Sequence, residues 1–189
     1  MLPPLSNKSA SNLQLLVPVA IAPSVVSAQR NALLELKKVD TIQVRCAESK
    51  RDWFVVEVFA DSATIPEDEE VHNETRLRRP TVRVERSLLQ FVALRNRVHN
   101  IAQNAHFAEH CEFCAAFMDL VVFGPNPDGF LVGFLGGKRL VRTLQKFVDE
   151  LQALITQHID IDTRGCCSGK TFAPQVMREF LFNPANGTT

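Results

Sequence analysis

The period of the apolar residues changes at Ser87, and that change fixes what the chain can fold into. Thr81, Val82 and Val84 suit a pleated strand. From Leu88 onward, Phe91, Leu94, Val98, Ile101 and Ala105 fall on one face of a helix. Ser87 followed three residues later by Gln90 fits a capping box, which places the helix start at the end of the strand.

Upstream the patterns are strand-like. Thr41–Cys46 alternates, Ser49–Asp52 reads as a turn, and Trp53–Phe59 is a second strand, so the two form a hairpin. Arg79–Glu85 is the third strand, with Pro80 at its start because proline cannot donate to a ladder. Downstream the patterns are helical. Leu88–Gln103 is the first helix. In the second, Phe107, Cys111, Cys114, Met118 and Val121 share a face, and Gly124-Pro-Asn-Pro breaks it. Phe130–Leu135 is a short apolar run. Lys138–Gln157 is the strongest helix, with Val141, Leu144, Val148, Leu151 and Ile155 on one side. The stretch Ile159–Lys170 reads as irregular, Pro174 suits a first helical turn, and Val176–Phe182 closes the domain. Three strands followed by helices imply the α+β class, a three-stranded antiparallel sheet followed by a helical subdomain.

A length of 189 residues accommodates one domain with a real core. The expected division is a flexible Pro-, Ser- and Ala-rich leader over 1–38 with one amphipathic piece at Arg30–Lys38, a domain over 39–184, and a disordered tail over 185–189. The apolar run Leu13–Pro23 followed by Val-Val-Ser-Ala resembles a signal peptide core, but Pro18 and Pro23 interrupt it and Lys8 is the only charge before it. The preferred reading is a leader whose apolar part packs on the domain. Secretion is the alternative.

Formal net charge is zero, but its distribution is not even. Asp61–Glu74 holds six acids and no Lys or Arg, and Arg76–Arg97 holds seven arginines and one acid. A basic strand running into a helix N-terminus suits a phosphate, which wants bidentate guanidinium groups and free amides. Arg83 and Arg86, three apart, fall on opposite faces of a straight strand and share a pocket only if the strand ends between them. A solvated edge balancing the acidic segment is the plainer reading.

Five cysteines, two of them adjacent, argue against a complete disulfide framework and for a reducing compartment. Cys111 and Cys114 form a C-x-x-C pair; with Cys166 and Cys167 they offer four thiolates for a structural zinc ion, and His106 and His110 are alternative ligands. Adjacent cysteines are poor partners in one tetrahedron. Against a metal stands the helix pattern, which puts Cys111 and Cys114 on an apolar face where thiols pack as small hydrophobes. Gly165–Thr171 is one residue short of a P-loop and no strand leads into it. The triplets at Asn73 and Asn186 are glycosylation acceptors only in a secreted chain. Spacing gives no catalytic triad or carboxylate pair, so an enzyme is not expected.

The order of elements resembles the PX (phox-homology) domain family. The resemblance rests on Trp53-Phe-Val-Val-Glu-Val, on Arg86-Ser-Leu-Leu-Gln-Phe-Val-Ala-Leu-Arg-Asn-Arg-Val, on Leu144-Gln-Lys-Phe-Val-Asp-Glu-Leu and on the ending Ala173–Phe182, and spans roughly 39–184. The C-x-x-C is similar to that of a divergent subgroup with paired cysteines there. The resemblance implies a phosphoinositide-binding module, most often for phosphatidylinositol 3-phosphate, docked on the cytoplasmic face of endosomal membranes, with no nucleic-acid partner. The family's head-group motif reads R-R-Y/F-S-x-F. Aligned on Phe91, its first arginine falls on Arg86, while Ser87 stands where the second grips the 3-phosphate and Leu88 where the ring stacks under inositol. The pocket is therefore altered. Arg83 and Ser87 complete the junction, and Lys138, Arg139 and Arg142 are the candidate cations of the later helix. The alternative is a PX-like protein-interaction scaffold that has lost lipid binding.

Overall fold

The computed structural model describes residues 23–48, 52–60, 79–106, 111–128, 137–159 and 167–184. Eight elements follow in the order α1 (Pro23–Lys37), β1 (Val39–Cys46), β2 (Trp53–Ala60), β3 (Val82–Ser87), α2 (Leu88–Gln103), α3 (Glu112–Phe123), α4 (Gly137–His158) and α5 (Ser168–Phe182). The strands form an antiparallel sheet in the order β1-β2-β3. This is the α+β fold expected, with one helix added ahead of the sheet.

β2 is the central strand, and its unbroken run Phe54–Phe59 is buried on both faces. Phe54, Val56 and Val58 join Phe91, Phe113, Phe117, Phe147 and the Leu144–Ile155 stripe of α4 in one core. Phe91 holds edge-to-face contacts with Phe54 at 5.8 Å and with Phe180 at 5.0 Å, so α2 packs between the sheet and α5.

α4 covers the outer edge of β1 in a specific way. Gln145 Oε1 accepts from the Val44 N–H at 2.7 Å, and Gln145 Nε2 donates to the Ile42 carbonyl at 2.8 Å. One side-chain amide thus supplies the donor and acceptor that a further strand would have brought, which blunts an edge otherwise open to pairing.

Three local expectations are corrected. The piece foreseen at Arg30–Lys38 is a longer helix, Pro23–Lys37, whose Leu33 and Leu36 are buried and which lies against α5. That part of the expected leader belongs to the folded body; the apolar run before Pro23 lies outside the described residues. The second helix runs Glu112–Phe123 with Cys111 as its N-cap, so Cys111 precedes the helix instead of lying on its face, and Phe107 lies outside the described residues. The last helix starts at Ser168, so Pro174 sits inside it. A mid-helix proline orphans the carbonyl four residues back. That carbonyl, of Lys170, accepts from Gln29 Nε2 of α1 at 3.3 Å, and the tertiary contact makes the proline tolerable. The acidic segment, Phe130–Leu135 and both sequons lie outside the described residues.

Candidate metal centre

His106 follows α2, Cys111 and Cys114 open α3, and Cys167 caps α5. One ligand atom from each lies within 4.8 Å of the others. Cys167 Sγ is 3.6 Å from Cys111 Sγ and 3.6 Å from Cys114 Sγ, although the residues are 56 and 53 positions apart. A tetrahedral zinc with Zn–S of about 2.3 Å has S···S edges of about 3.8 Å, so the sulfurs already stand near the spacing an ion imposes. The Cys111 N–H donates to His106 Nε2 at 3.5 Å, which keeps the ring at the cluster. Gly169 leaves room for this approach: a Cβ there would be 2.5 Å from Cys114 Sγ.

Both N-caps are cysteines, so two helix N-termini, each with its partial positive charge, face the sulfurs. Burial works against the Cys111 thiolate, but the Cys114 backbone N–H, the Cys167 and Cys114 sulfurs and the Lys170 ammonium outweigh it and lower its pKa. Burial, reinforced by Cys167 and Cys111, pushes the Cys114 thiol well up. A cation reverses that penalty, since coordinated thiols lose their protons. A His/Cys₃ set with no open position is the chemistry of a closed, structural metal site.

Of the four thiolates foreseen, Cys111, Cys114 and Cys167 converge. Cys166 and His110 lie outside the described residues. Cys114 is fully buried in the core, as the packing alternative required, but Cys111 is a half-buried N-cap rather than a residue on the helix face. Spacing alone left His106 level with His110, and of the two only His106 lies among the described residues.

The strand-to-helix junction differs from the expected head-group site. β3 continues through Ser87, so Arg83 and Arg86 do point to opposite faces. Arg83 lies on the outer face, where Arg83 Nη1 and Arg45 Nε flank the buried Glu57 carboxylate at 3.7 and 3.6 Å. Arg86 is only 2% exposed, and burial lowers its pKa. Its Nε and Nη2 donate to the Phe180 carbonyl at 2.8 and 2.6 Å, Nη1 donates to Glu85 O at 3.1 Å, and Nη2 also reaches Asn183 O. The guanidinium caps the C-terminus of α5, where the helix dipole is negative, and its Nε and Nη2 donors are committed within the fold. Ser87 closes its capping box with Gln90, whose Oε1 accepts the Ser87 N–H at 2.8 Å. The Leu88 N–H is taken by Asp52 O at 2.9 Å. The amides of Ser87 and Leu88 are thus used internally.

Lys138, Arg139 and Arg142 stand exposed on the first turns of α4. Arg142 and Lys146 line an open groove with Phe123 at the end of α3, which Asp119 and Glu150 also line, and Lys146 Nζ pairs with the Glu150 carboxylate at 3.5 Å. Phe123 is 82% exposed and Val122 59%, an apolar pair beside a basic helix start. The breaker at Gly124 ends the second helix where the sequence places it, but the apolar periodicity follows the buried face and does not single out Phe123 on the exposed side. No described helix is long and apolar enough to cross a membrane. No family model, curated protein or solved structure matches the chain.

Proposed function

We propose that the chain is a non-enzymatic, PX-like module that docks on phosphoinositide-containing membranes through the corner between α3 and α4, with a structural zinc ion closing its helical half. The observation that carries the docking reading is the placement of exposed Phe123 with Arg142 in one groove, next to Lys138 and Arg139. An aromatic ring enters the interface while cations meet phosphate head groups, so apolar and charged terms act together. This moves the head-group contact away from Arg86 and Ser87, whose donors are consumed within the fold. The zinc assignment draws on the Cys₃His donor set and its spacing. Endosomal, cytoplasmic-face membranes are the matching location.

The test is co-sedimentation of the full chain with vesicles, with and without phosphatidylinositol 3-phosphate, at two salt concentrations. Retention should require the phosphoinositide, fall with salt, and be lost in Phe123→Ser/Arg142→Glu. For the metal, elemental analysis of chain purified without a metal-affinity step should find about one zinc per chain, and a chelator should lower the melting temperature. Metal-free chain indifferent to chelator would mean that the thiols are core packing only.

The internal use of Arg86 and Ser87 favours one second reading, a protein-interaction scaffold without lipid binding. It takes over if no phosphoinositide retains the folded chain.

A further inference from the structure

We propose that the same thiol cluster is a site of peroxide oxidation, at which Cys111 and Cys167 join as a disulfide while Cys114 stays reduced. Distance alone does not choose the pair, since Cys167 Sγ is 3.6 Å from both Cys111 Sγ and Cys114 Sγ. Burial does. Cys114 is 0% exposed within the core, and Cys111 and Cys167 are half-buried at the starts of α3 and α5. A small oxidant reaches the outer two sulfurs and not the inner one.

The oxidant is hydrogen peroxide. One outer thiolate attacks a peroxide oxygen, the O–O bond breaks, hydroxide leaves, and that sulfur becomes a sulfenic acid. The second outer thiolate attacks that sulfur, the S–S bond forms, the S–O bond breaks and a second hydroxide leaves. Two solvent protons convert the hydroxides to water, and the sulfur pair has given two electrons to the peroxide. The part of this inference that concerns metal rests on the zinc reading: losing two of four ligands leaves His106 and Cys114, too few to hold the ion, so zinc departs as the disulfide closes. The bond then ties the same two helix starts that the ion tied. The cluster is thus a staple with a metal form and a covalent form, and the body stays closed in either.

The experiment treats zinc-analysed full chain with one equivalent of hydrogen peroxide. Released zinc is read with a colorimetric chelator, disulfides by peptide mapping, free thiols by alkylation before and after unfolding, and thermal stability by melting. The expected result is one zinc released per disulfide, a Cys111–Cys167 link, Cys114 alkylated only after unfolding, and an oxidised form that melts above the reduced, metal-free chain. A disulfide that uses Cys114, Cys166 or Cys46, or oxidation to sulfinic acid with no disulfide, overturns the inference. If the starting chain holds no zinc, the zinc reading fails on its own, and mapping of the oxidised metal-free chain still decides the disulfide. If zinc is present and stays bound after the disulfide forms, the link is real and the exchange is refuted.

Discussion

Arg86 on β3 donates from both Nε and Nη2 to the Phe180 carbonyl, 94 residues away at the end of α5, and its Cζ lies 5.3 Å from the centroid of the Phe180 ring. A basic residue at a strand-to-helix junction reads as a ligand group, yet here its charge completes a helix C-terminus. Arg95 does the same for α3, with Nη2 donating to the Val121 carbonyl at 2.9 Å. Two arginines of the basic run are helix caps supplied by distant elements.

Arg86→Ala should therefore act on stability. It leaves the Phe180 carbonyl without the two N–H donors it accepts from, and hydrogen bonds to charged groups contribute roughly 1.5–3 kcal/mol each. A loss of about 3 kcal/mol is expected by urea unfolding, with unchanged vesicle retention for the folded fraction. Arg86→Lys should recover little, because one ammonium cannot replace a fork that serves several carbonyls. An unchanged urea midpoint would refute the cap.

Gly169→Ala should reverse the usual sign of its substitution. Glycine to alanine inside a helix ordinarily gains up to about 1 kcal/mol. At Gly169 the new methyl would sit 2.5 Å from Cys114 Sγ and 3.4 Å from Cys167 Sγ, so a lower melting temperature and fewer bound zinc ions per chain are expected. Gly137→Ala is the control: among the described residues its Cβ meets only Cys46 Sγ, at 3.8 Å, and the variant should be neutral or slightly more stable.

Gln145→Leu should open the β1 edge. The two hydrogen bonds from Gln145 to Val44 and Ile42 are lost together, at about 1 kcal/mol each. Faster hydrogen exchange at the Val44 amide and a drop of about 2 kcal/mol are the expected readings. Full protection at Val44 would show that the amide is not what closes the edge.

Ser87→Ala and Arg142→Glu should separate capping from docking. The first removes an N-cap and costs about 1 kcal/mol without affecting vesicle retention. The second should leave the melting temperature nearly unchanged, since Arg142 is exposed, and reduce retention most at low salt, where head-group attraction is least screened. The opposite pattern would return the head group to the junction.

The sequence by itself determined the elements whose signal is local. The stripe Leu144, Val148, Leu151 and Ile155 is 0% exposed on α4, the alternation in β1 buries Ile42 and Val44, and the capping box at Ser87 starts α2 where the period changes. Periodicity repeats over a few residues, so it can be read without knowing what the face packs against. Tertiary structure decided everything that depends on which distant residue arrives. It turned Arg86 into a cap for α5, put Gln29 under the carbonyl orphaned by Pro174, and, among the described residues, brought His106 together with Cys111, Cys114 and Cys167. These contacts span tens of residues and leave no periodic trace, because a guanidinium, an amide or a thiol has its meaning only from the partner that packing brings to it.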